Sequence, residues 1–309
     1  MPLTVQQLNA DTTFLLTFSI PKSLSSPNDS RSSDFTILID PWLNGPSPIF
    51  HSSFAVSSHT TESAIQSLSE LRKPPDLIIV SQPKNDHCNK GTLSSLPVAW
   101  SGIIAAVPAA AKKIRSWKLF AENQVKVIPA YNARNFDTCV QILLGKDGRS
   151  GNVVLANIPE PYDLSAVHNA IGITLTAPSD LPQKPLSILY TPHGLTTSLL
   201  EPYLTHHLQS IGAHPIDLLF HSLNIEANPR LMGGIVSNGA PGGVEIAKLM
   251  GAKTWMGAHD EEKENGGIAT RLIKCTRFTV EEVEERLERE GVMGTKVRCL
   301  GVGETLELG

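Results

Sequence analysis

Short apolar runs bounded by proline, glycine and polar residues recur along the whole chain. Leu77–Val80 is an uninterrupted apolar run between Pro74-Pro75 and a polar stretch. This pattern predicts a fully buried strand that ends in a loop, with a helix from about Lys90. Similar runs predict strands near residues 4–18, 35–39, 102–107, 125–129, 141–144, 152–156, 171–175, 186–190 and 216–220, with a final strand pair over 296–308. Two mixed sheets between helices fit this order best.

Helical spacing and turn residues fill the gaps between these strands. Helices are predicted over 61–71, 109–117, 198–211, 244–250 and 279–290, the last opened by a capping box of Thr279 and Glu282. Residues 21–34 predict a mobile hairpin loop and 145–149 a hairpin turn. The glycine-rich stretch 233–243 predicts a flexible loop, and it lacks the Gly-Lys-Ser/Thr ending of a phosphate-binding loop. We expect one domain over residues 1–309.

Composition narrows the class of protein. With 309 residues, of which 41% are hydrophobic and 18% charged, the chain can build a large core, which excludes general disorder. The net charge of −4 argues against nucleic acid as a partner. The four cysteines lie far apart, and no apolar run reaches the roughly 18 residues that span a bilayer. We expect a cytoplasmic protein without a signal peptide that acts on a small molecule; the oligomeric state stays open.

The candidate chemistry begins just past the central apolar run. Asp86 and His87 stand side by side in the loop after Leu77–Val80, and such loops often carry functional groups because the sheet holds them in place. An imidazole nitrogen and a carboxylate oxygen suit zinc or a similar metal. His193 and His259 also follow strand-like runs, as does His221, and these are further candidates. His168 is a weaker one.

The window Gln82–His87 resembles the His-x-His-x-Asp-His signature of the metallo-β-lactamase superfamily, with its first two histidines replaced by Gln82 and Lys84. Three further blocks resemble the family: residues 36–43, which contain Asp40; residues 188–194, with His193 where a bridging aspartate is expected; and residues 253–259, which end at His259. The resemblance implies an α/β fold, an αββα four-layer sandwich of two mixed β-sheets flanked by helices.

The resemblance also implies a ligand set. Asp86, His87 and His259 match the ligands of one of the family's two metals, and His193 would join them. Glutamine is a poor ligand and a charged lysine cannot be one, so we predict at most one tightly held divalent metal, with zinc as the first choice and a site without metal as the alternative. A bound metal would lower the pKa of a water that attacks an ester, lactone, amide or phosphodiester, with Asp86 handling the proton.

Several roles stay open at this stage. Lys84 either replaces part of the missing positive charge in catalysis or points to solvent. Asp40 either orients a metal-binding histidine or closes the turn before Pro41. Trp42 and Tyr131 are candidate aromatic walls, and Cys88 reads as a small buried hydrophobe. The remaining histidines are expected at the surface: His51, His59, His206, His207 and His214.

Two other classes of function compete with the hydrolase. One is a degenerate protein of the same fold that binds a ligand or serves as a scaffold, and the loss of ligands at Gln82 and Lys84 supports it. The other is a metal-independent enzyme that uses Lys84 and the histidines as acid and base. Convergence of the histidines on one open cleft would favour an enzyme. Their dispersal, or a cleft filled by Trp42 and the 233–243 loop, would favour the scaffold.

Overall fold

The computed structural model describes residues 2–19, 34–49, 53, 55–144, 151–163, 165–177, 183–229, 234–267 and 270–308. The predicted hairpin loop apart from Asp34, the predicted turn at 145–149 and His51 lie outside these ranges. Over the described residues the strands are, in chain order, β1 (Leu3–Gln7), β2 (Phe14–Ser19), β3 (Asp34–Ile39), β4 (Ser47–Ile49), β5 (Ala55–Ser58), β6 (Leu77–Val80), β7 (Ile103–Ala106), β8 (Val125–Val127), β9 (Val140–Leu143), β10 (Asn152–Pro159), β11 (Asn169–Thr176), β12 (Leu186–Tyr190), β13 (Leu218–His221), β14 (Ile225–Ala227), β15 (Ile235–Asn238), β16 (Thr254–Gly257), β17 (Glu264–Gly266), β18 (Lys274–Thr276), β19 (Lys296–Arg298) and β20 (Thr305–Leu308). The α-helices are α1 (Lys90–Ser94), α2 (Pro108–Ser116), α3 (Glu201–Tyr203), α4 (Gly239–Met250) and α5 (Val280–Arg289).

Two seven-stranded sheets carry the architecture, and each is half antiparallel and half parallel. The first has the order β20-β1-β2-β3-β6-β7-β8, in which β3, β6, β7 and β8 run parallel. The second has the order β19-β16-β13-β12-β11-β10-β9, in which β12, β13, β16 and β19 run parallel. Smaller three-stranded sheets are formed by β4, β5 and β17 and by β14, β15 and β18. The predicted pair of mixed sheets is confirmed.

The main core lies between the two large sheets. Every residue of β6 is buried, as its continuous apolar run predicts. Phe14 from the first sheet and Phe220 from the second meet with ring centroids 4.7 Å apart, and both are fully buried. Each such side chain contributes about 1.5–3 kcal/mol by burial. Helix α2 packs on β7 and β8, and α4 and α5 pack on the second sheet, which completes the predicted αββα order.

Local sequence signals succeed for some helices and fail for others. Pro108 begins α2, and the Thr279–Glu282 capping box opens α5 as predicted. The helix predicted over 61–71 is wrong: that stretch forms only a 3-10 turn at Leu68–Glu70. Its hydroxyl side chains bond backbone groups instead, with Ser63 Oγ donating to the Leu43 carbonyl. The segment predicted to be helical over 198–211 forms three consecutive helical pieces, a 3-10 turn at Thr197–Leu199, α3, and a π-helical piece at Leu204–Leu208.

The glycine-rich segment is more ordered than predicted. Ile235–Asn238 forms β15, and α4 begins at Gly239 rather than near Val244. The last two strands are also not a pair, because β19 joins β16 and β20 joins β1 in the other sheet. Within the described residues no helix is long and apolar enough to cross a bilayer.

Candidate metal centre

The parallel halves of both sheets end at one edge, and the chemically active loops meet there. β3 leads to Asp40, β6 to the loop of Asp86 and His87, β12 to His193 and β16 to His259. In α/β sheets the crevice beyond the carboxyl ends of the strands is the usual place for a ligand. The three histidines predicted as ligands, His87, His193 and His259, offer donor atoms that lie within 4.8 Å of one another.

Asp40 fixes the orientation of His87. The Asp40 carboxylate lies 2.7 Å from His87 Nδ1 and accepts from the Ser81 N–H at 2.7 Å, the Ser81 hydroxyl at 2.5 Å and the Tyr190 hydroxyl at 2.7 Å. Asp40 has a left-handed φ of 42°, a conformation that aspartate tolerates better than most residues. Because Nδ1 donates to the carboxylate, His87 Nε2 is left as an acceptor that faces the other histidines. The expected orienting role of Asp40 matches this arrangement.

His193 is held in the same way by a backbone carbonyl. It lies in the turn after β12, where its Nδ1 donates to the carbonyl of Val236 in β15 at 3.0 Å. The Asn238 N–H donates to the His193 carbonyl at 3.0 Å, so two hydrogen bonds join β15 to this turn. Gly194 follows with φ 80°, and a Cβ there would lie 2.8 Å from His221 Nε2. His193 therefore also presents an unprotonated Nε2.

These two acceptors face each other at close range. His87 Nε2 and His193 Nε2 are 3.2 Å apart, although neither carries a hydrogen in these tautomers. Burial, with the neighbouring His259 and His87, holds the pKa of His193 well below its usual value, so a shared proton is disfavoured. Two nitrogens on one tetrahedral zinc, at about 2.0–2.1 Å each, are separated by about 3.3 Å. The arrangement therefore suits a metal ion bound by both rings.

His259 completes the group of three histidines. It follows β16 with φ 68° and is 5% exposed, and its Nε2 lies 3.6 Å from Asp86 Oδ2. Its Nδ1 is buried and has no hydrogen-bond partner among the described residues. Burial and the Lys263 ammonium lower the pKa of His259, but the carboxylates of Asp11 and Asp86 outweigh both effects and raise the pKa to about 9. The ring therefore holds a proton at neutral pH, and a metal that binds it must displace that proton.

Asp86 forms the accessible edge of the group. Its side chain is 23% exposed, and Oδ2 lies 3.9 Å from His87 Nε2 and 3.6 Å from His259 Nε2. Burial opposes its ionisation, but His87, His259 and Lys263 together hold the pKa of Asp86 well below its usual value. It is a carboxylate at neutral pH, close enough to be a further ligand or to contact a substrate.

Sequence reasoning missed two charged groups beside His259. Asp11, in the β1–β2 loop, is fully buried, and its Oδ2 lies 2.8 Å from Lys263 Nζ. That ammonium also lies 3.3 Å from His259 Nε2. Burial raises the pKa of Asp11, but His259 and Lys263 outweigh it, so the pKa is lowered. The only hint in the sequence is the spacing of four residues between His259 and Lys263.

Gln82 and Lys84, which replace the first two histidines of the motif, lie in different environments. Gln82 is buried and donates to the Val167 carbonyl at 3.0 Å, while its Oε1 has no hydrogen-bond partner in the described ranges. The described residues give the Lys84 ammonium neither a hydrogen bond nor an ion pair, and the assignment of Lys84 to catalysis stays a prediction. A different lysine, Lys113 of α2, holds this loop by donating to Pro83 O at 2.6 Å and Asn85 Oδ1 at 2.7 Å.

Two further histidines lie near but outside the group of three. His221 is fully buried and donates from Nδ1 to the Ser222 carbonyl at 2.7 Å, and no other described residue offers its Nε2 a hydrogen bond. Burial lowers the pKa of His221 to about 4, so it stays neutral. His168 lies between two carbonyl groups, those of Gly194 at 3.1 Å and Ile235 at 3.0 Å. Backbone carbonyls therefore hold both rings, which favours a structural role for each.

The surface prediction is wrong for two histidines. His59 stacks on Trp42 at 3.7 Å between centroids and pairs with Glu261 at 2.5 Å. His207 is 3% exposed and stacks on Tyr203. His206 is exposed as predicted, and His214 is half-buried.

The candidate aromatic walls differ in position. Trp42 is fully buried, and the Lys263 ammonium lies 5.7 Å from the centre of its ring. Tyr131 packs instead against Tyr203 at 5.4 Å between ring centroids, in the core outside the second sheet. Cys88 is buried, as expected of a small hydrophobe. Only Trp42 therefore borders the metal centre.

Comparison with known proteins identifies the fold. No family sequence model and no curated protein sequence matches this chain. Among solved structures it is similar to a possible metal-dependent hydrolase from Veillonella parvula (14% identity, 98% of each chain, TM-score 0.60), to an isothiocyanate hydrolase from Delia radicum gut bacteria (15% identity, 98% of each chain, TM-score 0.59) and to the metallo-β-lactamase fold protein YhfI from Bacillus subtilis (14% identity, 99% of this chain and 100% of that chain, TM-score 0.53). The chain has the metallo-β-lactamase fold, in a form whose sequence has diverged far from these structures.

Proposed function

We propose that this protein is a metal-dependent hydrolase that holds one divalent metal, most simply zinc, between His87, His193 and His259, with Asp86 at the open edge. The observation that carries the proposal is the 3.2 Å approach of His87 Nε2 to His193 Nε2. Each ring uses its other nitrogen as a donor, to Asp40 and to the Val236 carbonyl, so both lone pairs point at one place. Imidazole nitrogens are ligands that zinc prefers.

A divalent metal at this place would supply a Lewis acid and lower the pKa of a water molecule. Asp86 is ionised and partly exposed, so it can orient that water through a hydrogen bond. Its low pKa suits it to pass a proton on rather than retain it. The Lys263 ammonium, fixed by Asp11 at 2.8 Å, places a positive charge beside the same edge, where it would stabilise negative charge on the attacked group.

The predicted substrates are small molecules with an ester, lactone, amide or phosphodiester bond. Two of the similar structures carry hydrolase names, and the one acting on isothiocyanates shows that electrophiles other than esters suit this fold.

One observation favours a second candidate, a metal-binding protein without turnover. The three histidines are 0–5% exposed, and Asp86 at 23% is the most open member of the group. A metal could be held there for structure alone. The metal-independent enzyme that relies on Lys84 receives less support, because the described residues bring a different lysine, Lys263, into contact with His259.

The test combines metal content with turnover. Protein purified without chelators or a histidine tag should hold about one zinc per chain, and His193→Ala should lose it. His206→Ala is the matched control, because His206 is exposed and should leave metal content unchanged. A panel of nitrophenyl esters, lactones and phosphodiesters then separates the candidates.

Turnover that disappears with the metal in His193→Ala supports the hydrolase. One bound metal with no turnover on any substrate favours the second candidate. No metal in the wild-type protein after incubation with zinc, manganese and iron would refute both.

A further inference from the structure

A second group of donors lies directly beside the three histidines. Asp11, Asp86 and His259 each offer one ligand atom, and these atoms lie within 4.8 Å of one another. Asp86 and His259 belong to both groups, whereas Asp11 belongs only to this one. Asp11 is fully buried, and within the part of the chain that the structure describes its Oδ1 has no hydrogen-bond partner. Two carboxylates at such short range in a buried place require a positive charge between or beside them.

The chain supplies that charge itself. The Lys263 ammonium lies 2.8 Å from Asp11 Oδ2 and 3.3 Å from His259 Nε2, so it contacts two of the three donors. Its side chain is 9% exposed, although lysine usually extends into water when it can. The ammonium is therefore a cation that the chain itself places beside Asp11 and His259.

We propose that the Lys263 ammonium occupies the position of a second cation, at an Asp11–Asp86–His259 site, and so restricts the protein to one metal. Two carboxylates and one imidazole form a donor set that suits zinc or manganese. Without the lysine side chain, Asp11 and Asp86 would hold a divalent metal; His259 is a ligand of only one metal at a time, because a neutral imidazole donates a single lone pair. The proposal rests on the proposed function in one respect, because Asp86 and His259 also serve the histidine site.

The first experiment is metal content after dialysis against zinc or, separately, manganese. Lys263→Ser removes the ammonium and leaves room for water, and should gain about one metal per chain over the wild-type protein. Asp11→Asn combined with Lys263→Ser should lose that gain, because the only donor unique to the second site is gone. Lys263→Arg keeps the charge and should match the wild-type protein. A folded Lys263→Ser variant with the wild-type metal content would overturn the proposal.

Thermal stability provides a readout that does not depend on purifying the loaded protein. Lys263→Ser leaves Asp11 buried without its partner. Added metal should therefore raise the thermal unfolding midpoint of this variant by several degrees more than it raises that of the wild-type protein. Asp11→Asn combined with Lys263→Met removes both charges, and its response to metal should equal that of the wild-type protein. Equal responses in all three proteins would contradict a latent second site.

The two proposals fail in different ways. If the wild-type protein and Lys263→Ser each hold one metal, the histidine site stands and the second site is refuted. If the wild-type protein holds none and Lys263→Ser holds one that Asp11→Asn removes, the second site stands and the proposed function is refuted.

Discussion

Asp40 should control both the stability of the fold and the affinity of the metal centre, and Asp40→Asn tests this. The carboxylate accepts from His87, Tyr190 and twice from Ser81, and none of its atoms is exposed to water. Asparagine keeps the shape and tolerates the left-handed backbone at φ 42°. It offers one acceptor oxygen in place of two, so its amide group must face at least one of the four donors.

The expected losses of stability and zinc affinity follow from the hydrogen bonds that Asp40→Asn removes. A buried donor left without its acceptor costs about 1–3 kcal/mol, and bonds to a charged group contribute about 1.5–3 kcal/mol each. The free energy of unfolding of the metal-free protein should therefore fall by about 2–5 kcal/mol. Loss of a carboxylate that orients a ligating histidine weakens metal binding by about 10–100-fold, or about 1.4–2.7 kcal/mol.

The assay is zinc competition against a chromophoric chelator, with urea unfolding of the metal-free protein in parallel. Tyr190→Phe is the matched control, because it removes one donor to Asp40 and leaves the contact with His87 in place. It should lower stability by about 1.5–3 kcal/mol and change zinc affinity by less than about threefold. If folded Asp40→Asn binds zinc as tightly as Tyr190→Phe, then Asp40 does not act through His87 and the reasoning is wrong.

Three further predictions follow from single residues. The pKa of His259 is raised to about 9, so zinc must displace a proton from this ring below that pH. Zinc affinity should therefore increase about tenfold per pH unit between about pH 6.5 and 8.5 and level off above about pH 9. A flat profile in the same competition assay would show that no proton leaves His259. Lys84→Ala should leave zinc content unchanged and alter the free energy of unfolding by less than about 0.5 kcal/mol. A loss of zinc in that variant would show that Lys84 contributes to the metal site. Thr279→Ala removes the cap of α5, where the hydroxyl accepts from the Glu282 N–H at 3.3 Å, and should lower the free energy of unfolding by about 1 kcal/mol in urea; an unchanged midpoint would mean that packing alone holds the helix.

The sequence predicts the groups that follow buried strands. A continuous apolar run of four residues marks β6, and the polar residues after it include Asp86 and His87. Asp40, His193 and His259 also follow strands, whose parallel carboxyl ends meet at one edge, but it is the resemblance to the metallo-β-lactamase superfamily that singles them out. Periodicity therefore predicts the sheets, and the resemblance predicts most of the residues that meet at their edge.

The missed residues have no such marker. Asp11 lies in a polar hairpin that resembles any surface turn, and its burial results from the approach of Lys263 across a distance of more than 250 residues in sequence. Lys263 itself lies next to several acidic residues, a composition typical of a solvent-exposed segment. Ion pairs between such distant segments depend on tertiary packing, which neither propensity nor periodicity encodes. The false helix over 61–71 has a similar origin, since apolar spacing was outweighed by side chains that bond other loops.

The charges at this edge support the proposal of one divalent metal rather than two. Asp40 accepts four donated hydrogens through its carboxylate oxygens, and Asp11 and Asp86 are ionised. Lys263 supplies one positive charge, and one divalent metal that displaces the proton of His259 supplies two more. The three carboxylates are then balanced, and the histidines are neutral ligands. A second divalent metal would add two positive charges next to the Lys263 ammonium, which a buried group tolerates poorly. This balance supports our proposal that Lys263 limits the protein to one metal.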